Sequence, residues 1–403
     1  MSDLHVPEGA SWADLHAPLR RILLERPEEA VVVATSGSSG TPKRVRMTGA
    51  ALRASGEATA TFLGGHGRWL LALPTHHVAG LQVLARSVLA GTSPVALSPG
   101  MPFTTAAFAA AVEEMAGGGP GDDPRPDGTG GAARSGGPTG SHRRYASLVP
   151  TQLHRLLAEG TDGEGSRAAA ALDAILLGGA AADPGLLARA RDAGVRVVTT
   201  YGMSETCGGC VYDGQPLPGL KIRLEEGRVH LAGPMLAAGY VDASGAPEED
   251  LTRDRFVDVD GTRWFRTDDR GELDTDGRLR ILGRVDEVIV TGGHKVEPRD
   301  VEAALRALPQ VDDAVVVGLP DPEWGQCVAA LVVPTPPAHA LPDGPLAWRR
   351  LLRPGLPPHS LPEHALPRRV VVRDAIPLLP SGKPDLPRIT QMLREHHDAR
   401  LDA

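Results

Sequence analysis

Residues Val31 to Lys43 read VVVATSGSSGTPK, a β-branched run followed by a loop of Thr, Ser and Gly that Pro42 and Lys43 close. Gly37 and Gly40 permit backbone angles that turn successive N–H groups toward one anion. The hydroxyls of Thr35, Ser36, Ser38, Ser39 and Thr41 add donors, and Lys43 adds a positive charge. That is the chemistry of phosphate binding. The spacing departs from the G-x-x-x-x-G-K-[ST] signature, because Pro42 precedes the lysine and Arg44 follows it, so an ordinary P-loop kinase or ATPase is disfavoured. A flexible Ser/Gly linker is the plain alternative, yet linkers seldom follow a buried strand directly.

Further groups recur downstream. Tyr201–Thr206, YGMSET, follows the β-branched run VRVVTT, and α/β folds place ligand residues at the carboxyl ends of such strands. Gly178-Gly179-Ala180 follows another apolar run, and Trp264–Glu302 packs Asp268, Asp269, Arg284 and Asp286 ahead of Gly292-Gly293. Pro380-Ser381-Gly382-Lys383 carries one of only four lysines among 42 basic residues. Taken singly, a turn glutamate or a terminal lysine is ordinarily a solvated charge. Cys207-Gly-Gly-Cys210 has no second ligand pair for zinc, and three cysteines cannot make a disulfide framework.

In their order along the chain these segments resemble the motifs of the adenylate-forming superfamily, which includes acyl-CoA synthetases, luciferases and peptide-synthetase adenylation domains. The resemblance implies that the Thr35–Lys43 loop and Gly179 line the ATP site and that Tyr201 stacks on adenine. Ser204 stands for the family's phosphate-contacting Thr, Glu205 holds Mg²⁺, Asp269 grips the ribose hydroxyls and Arg284 meets ribose or phosphate. It further implies that Lys383 is the catalytic lysine, Asp286 the hinge and Gly292-Gly293 the loop on the CoA side. The family usually has glycine where this chain has Arg44 and Asp268.

His77, in Pro74-Thr-His-His77-Val-Ala-Gly80-Leu81, matches a P-x-x-H-x-x-G-L pattern of acyl-CoA ligases and implies a catalytic and acid-binding role beside Gly178. With the short N-terminal segment, the chain looks most like the o-succinylbenzoate–CoA ligases of menaquinone biosynthesis. That likeness implies conversion of o-succinylbenzoate, ATP and CoA to o-succinylbenzoyl-CoA, AMP and pyrophosphate through an acyl-adenylate, with Mg²⁺. Arg86, on a helix apolar on nearly every face, is then the expected partner of the acid's second carboxylate; pairing with an internal acid, or snorkelling, is the competing reading. The alternatives are a CoA ligase or carrier-protein adenylating enzyme for another aryl or fatty acid, and a non-catalytic nucleotide-binding protein.

The elements that must position these groups alternate as helix and strand from Ala50 to Tyr201, which predicts an α/β fold of mostly parallel sheets with flanking helices. Short strands from Lys221 to Leu282 predict a β-rich subdomain, and a small mobile α/β domain follows. A chain of 403 residues calls for at least two domains. The expected division is residues 1–283 and 284–403.

A net charge of −8 disfavours nucleic acid as a partner, and no apolar run approaches the roughly 20 residues of a membrane helix. The N-terminus lacks the pattern of a signal peptide, so a cytoplasmic protein without membrane insertion is expected. Its expected partners are the acid, ATP, CoA and a second copy of the chain in a homodimer. Residues 117–144 are Gly/Pro/Asp/Ser-rich with almost no apolar anchor, and read as a disordered insertion. Deleting most of it is expected to leave soluble yield and turnover nearly unchanged, as expression and activity assays would show.

Overall fold

Buried aliphatic runs alternate with capped helices along the first half of the chain, and that alternation produces a parallel sheet covered by helices. The computed structural model describes residues 3–35, 43–97, 102–117, 143–335, 344–352, 361–379 and 384–401. Insertion residues 118–142 therefore lie outside the described residues; at its expected ends, Gly117 caps a helix and Arg143 opens a strand.

The chain divides into two units. The first comprises Met1–Arg223, His230–Arg266 and Asp274–Leu279; the second comprises Leu224–Val229, Thr267–Leu273 and Arg280–Ala403. The expected boundary at Gly283–Arg284 falls inside the second unit. Backbone bonds tie its earlier segments to the later part: Val285 N donates to the Asp268 carbonyl at 2.7 Å, and Gly271 N to the Gly227 carbonyl at 2.9 Å.

In the first unit a seven-stranded sheet runs in the order Gln215–Pro216, Gly208–Tyr212, Val197–Met203, Ala174–Leu177, Arg143–Leu148, Gly67–Leu71 and Val95–Ala96. The five strands from Val197–Met203 onward are parallel, and the first two join antiparallel. Phe108, Val112 and Met115 of the helix Thr105–Ala116 pack with Leu153, Leu186 and the strand residues Leu70, Leu148, Ile175 and Leu177. Side-chain caps from Thr48, Thr104 and Asp183 start three of the helices.

A second sheet of this unit runs Leu4–His5, Ala30–Ala34, Arg44–Thr48, Gly239–Val241. The Thr/Ser/Gly loop thus joins two antiparallel strands, with Thr35 N donating to the Lys43 carbonyl at 2.7 Å. The strand Arg44–Thr48 was not anticipated, because RVRMT alternates charged with apolar residues beside a glycine-rich loop. Arg44 pairs with Ala34 and Val241 in that strand, where no glycine is required.

The second unit contains a sheet in the order His294–Val296, Ile289–Thr291, Gly325–Pro334, Val311–Asp321, with Arg369–Val372 added parallel to Gly325–Pro334. Val301, Ala304 and Leu305 of the helix Pro298–Arg306 belong to one core cluster, and Ile389 and Leu393 of the helix Leu386–Leu401 to another. Among the described residues no helix is long and apolar enough to cross a membrane. The sequence also did not announce the helix Glu249–Arg255, which buries no side chain and so leaves no periodic signal.

Strands ending at Leu71, Leu148, Leu177 and Met203 deliver their loops to one edge of the parallel sheet. At that edge the helix Val78–Ala90 starts against the Pro74 carbonyl: a Cβ on Gly80 would lie 2.2 Å from that oxygen. Gly80 therefore sets where the helix begins, and His77 caps it in extended conformation (φ −105°, ψ 147°). Gly80→Ala is expected to destabilise the first unit by about 1–3 kcal/mol through this overlap, measurable as a lowered urea midpoint.

Candidate active site

The strand Val197–Met203 and the turn that follows it carry the centre of the site. Gly202 lies under the neighbouring strand so closely that a Cβ there would meet the Gly208 carbonyl at 2.1 Å. The register shifts between Tyr201 and Gly202, a bulge that re-aims the side chains beside it. Gly178 faces Thr200 across the sheet, where a Cβ would lie 2.4 Å from Thr200 Oγ1, and Gly179 adopts φ +84°. The Gly-Gly-Ala and Tyr-Gly segments are thereby brought side by side.

Ser204–Thr206 forms a single 3₁₀ turn. Thr206 Oγ1 accepts from Met203 N at 2.9 Å and donates to the Gly208 carbonyl at 2.7 Å, fixing the turn's ends. Glu205, half-buried in this turn, accepts a 2.8 Å hydrogen bond from the Tyr240 hydroxyl. Lys43 Nζ lies 6.0 Å from the Tyr240 ring centroid. Burial pushes the Glu205 carboxyl above the usual range, while the Tyr240 bond and the charges of Lys43 and Arg255 pull it back down. Lys43 and Glu205, 162 positions apart in sequence, therefore belong to one electrostatic cluster.

Tyr240 was missed in the sequence, where a tyrosine in GYV reads as sheet packing. Its one signal is the preceding Gly239, held at φ +151° with Thr252 against it.

His77 sits at the same sheet edge with its ring 4.3 Å from that of His76. Arg86 does not join it. It lies nine residues along the helix, about 13 Å at 1.5 Å per residue, with its guanidinium 4.9 Å over the Trp69 ring and Nη2 donating to the Tyr212 hydroxyl at 3.2 Å. The small void it lines includes Gly65 and His66, which precede the strand Gly67–Leu71, so Arg86 faces the opposite sheet edge. Helical rise separates two residues that the sequence places on one helix. Where the sequence suggested a contact with the acid, the structure sets aromatic and phenolic groups against this buried cation.

In the second unit Arg284 is held bidentately by Asp286, Nε to Oδ1 and Nη2 to Oδ2, both at 2.8 Å. Burial works against its charge, but the hydrogen bond and charge of Asp286, with Asp269 and Glu287, hold its pKa above the ordinary value. Asp269 and Arg284, both expected at the nucleotide, are thus neighbours. Thr267 Oγ1 orients Asp269 by accepting from its N–H at 3.0 Å. Asp268 lies within the strand Thr262–Leu273 and outside the left-handed region, which is why glycine can be replaced there. Gly292 (φ +56°) and Gly293 (φ +81°) turn the hairpin between Ile289–Thr291 and His294–Val296, and Trp324 lies where a Gly292 Cβ would be, at 2.4 Å.

Ser36, Gly37, Ser38, Ser39, Gly40, Thr41 and Lys383 lie outside the described residues; a backbone bridge joins Leu378 to Pro384. Cys207 and Cys210 are buried free thiols, and burial pushes Cys210 up to about 12, which suppresses thiolate chemistry.

Among the described residues no group of three or more His, Cys, Asp or Glu is placed to hold a metal by itself. A lone carboxylate such as Glu205 fits Mg²⁺ shared with nucleotide phosphates, since that ion is commonly bound through one or two carboxylates plus phosphate oxygens.

A glycine-lined strand edge beside the Lys43, Tyr240 and Glu205 cluster belongs here to an AMP-binding, adenylate-forming enzyme, the class that two family matches give. Residues 143–241 match the AMP-binding enzyme family and residues 300–383 its C-terminal domain. The chain belongs, within that class, to the 2-succinylbenzoate–CoA ligase family. It is 41% identical over 361 residues to the probable 2-succinylbenzoate–CoA ligase of Mycobacterium tuberculosis, covering 83% of this chain and 85% of that protein.

Among solved structures it is similar to o-succinylbenzoate CoA synthetase of Bacillus subtilis in complex with the acyl-adenylate OSB-AMP (26% identity, TM-score 0.67, 88% of this chain and 67% of that one). The same Bacillus enzyme with ATP and magnesium ion aligns over 90% of this chain and 69% of that one at 26% identity and TM-score 0.67. An amide bond synthetase of Marinactinospora thermotolerans aligns at 26% identity and TM-score 0.71, over 91% of this chain and 70% of that one.

The ionised form of Glu205 is the one that can meet a cation, so activity should fall as pH drops through its raised pKa. Tyr240→Phe removes a bond that favours the carboxylate and is expected to move this acid limb to higher pH. Losing a hydrogen bond to a charged group should also raise the Mg²⁺ needed for half-maximal rate about tenfold. Pyrophosphate release measured against pH and Mg²⁺ checks both.

Proposed function

We propose that the chain is an AMP-forming acid–thiol ligase that converts o-succinylbenzoate, ATP and CoA to o-succinylbenzoyl-CoA, AMP and pyrophosphate. The observation that carries this reading is the 41% identity to a probable 2-succinylbenzoate–CoA ligase over 83% of the chain. The Lys43, Tyr240 and Glu205 cluster at the sheet edge supports it with a site suited to phosphate charge.

In the first half-reaction the acid's carboxylate attacks the α-phosphorus of ATP, and pyrophosphate leaves. Lys43 and the hydroxyls and N–H groups of the Thr35–Lys43 loop offset charge on the phosphates, with Ser204 adding a donor. Glu205 would hold magnesium, which when bound neutralises phosphate charge. Tyr201 and Gly179 receive the adenine, and Asp269 and Arg284 its ribose. His77 and Gly178 border the acid. Lys383 stabilises the α-phosphate as the acyl-adenylate forms.

In the second half-reaction the CoA thiol adds to the acyl carbonyl and AMP leaves. We assign the Gly292-Gly293 hairpin to this step and Asp286 to the change of conformation between steps. A cytoplasmic enzyme working as a homodimer completes the reading, and sedimentation of the purified chain tests the second part of it.

A panel of aryl and fatty acids assayed with ATP, and with CoA or a carrier protein as acceptor, should give fastest pyrophosphate release with o-succinylbenzoate and CoA. Lys383→Ala should lower adenylation on the order of 100-fold or more yet spare thioester formation from supplied acyl-adenylate. Equal loss in both half-reactions would remove the lysine from the first.

A further inference from the structure

The Cys207 carbonyl, two residues after Glu205, accepts hydrogen bonds from two side chains on two different helices. Gln82 Nε2 of the helix Val78–Ala90 donates at 2.6 Å and Ser55 Oγ of the helix Gly49–Leu63 at 3.1 Å. Cys207 is itself in the left-handed region at φ +50°, which a non-glycine residue adopts only when its surroundings impose it. Its N–H closes the 3₁₀ turn on the Ser204 carbonyl at 3.0 Å, so its conformation sets the exit of the turn that carries Ser204 and Glu205. Gly208 next along has φ +104°, and a Cβ there would lie 3.1 Å from Gln82 Cγ. Gln82 is 1% exposed, and its position one and a half turns from His77 makes the acid-side helix and the glutamate turn share one rigid contact.

We propose that Gln82 is a positioning residue: by clamping the Cys207 carbonyl it fixes Glu205 for magnesium–ATP and ties that turn to the helix that His77 caps. A buried amide in this helix has no packing advantage over leucine or methionine. What it supplies is a donor aimed at a strained carbonyl, with Ser55 as a weaker second. The inference rests on the proposed role of Glu205 toward magnesium–ATP.

The test compares the full-length enzyme with Gln82→Met, which keeps length and removes the donor, and with Ser55→Ala, a milder loss that serves if the first variant folds poorly. Calorimetric titration with Mg·ATP should show affinity reduced about three- to tenfold for Gln82→Met and less for Ser55→Ala, whereas ATP without Mg²⁺ binds each variant as it binds the parent. Hydrogen exchange in the ligand-free protein should quicken at residues 204–208. Thioester formation from supplied acyl-adenylate, which needs no magnesium–ATP, should change less than twofold.

Unaltered Mg·ATP affinity in both variants, or a lowered melting temperature with equal loss in both half-reactions, would overturn the inference and leave Glu205's role intact. Parent enzyme whose ATP affinity ignores Mg²⁺ would overturn the role of Glu205 and the inference with it.

Discussion

A carboxylate taken partly out of water at Glu205 is the constraint around which the first unit is arranged. Desolvation opposes its charge, and compensation has to come from groups already fixed in place. They come from the other sheet: Tyr240 from the strand Gly239–Val241 and Lys43 from the end of the glycine-rich loop. The intervening chain is pinned as well. Ala237 N donates to the Glu205 carbonyl at 2.8 Å, Ala238 N to the Arg46 carbonyl at 2.8 Å, and Arg263 donates to both alanine carbonyls. These two sheets of the unit are thus joined beside Glu205.

Close backbone approach is the second condition. Gly202 against Gly208, Gly178 against Thr200 and Gly80 against Pro74 are contacts that a Cβ would fill at 2.1, 2.4 and 2.2 Å respectively. They bring backbone dipoles and loop ends together at one sheet edge, where α/β folds present their ligands. The motifs Tyr-Gly, Gly-Gly-Ala and P-x-x-H-x-x-G-L are in this sense packing statements as much as chemical ones.

The second unit solves a separate electrostatic problem. Arg284, partly buried, is ringed by Asp268, Asp286 and Glu287, and Arg270 pairs with Glu297 beside Gly283. An arginine so held presents its guanidinium in a fixed orientation.

Much of this was legible in the sequence because it depends on local pattern. Aliphatic runs broken by glycine announced the parallel strands, and the order of the motifs around Gly178, Tyr201, Glu205, Asp269 and Arg284 carried the resemblance to the adenylate-forming superfamily. The sequence could not reveal Tyr240, whose hydroxyl matters only because a distant strand lies beside Glu205, nor the strand Arg44–Thr48, whose alternating charges carry no strong β signal. Arg86 shows the limit from the other side: its type and helix were read correctly, but the rise of that helix, with Trp69 and Tyr212 waiting at its far end, decides what the guanidinium touches. Sequence by itself determined which residues have the right chemistry and in what order, since composition and spacing are local. Only the tertiary structure decided which of them meet, because burial and distance arise when strands far apart in the chain are laid side by side.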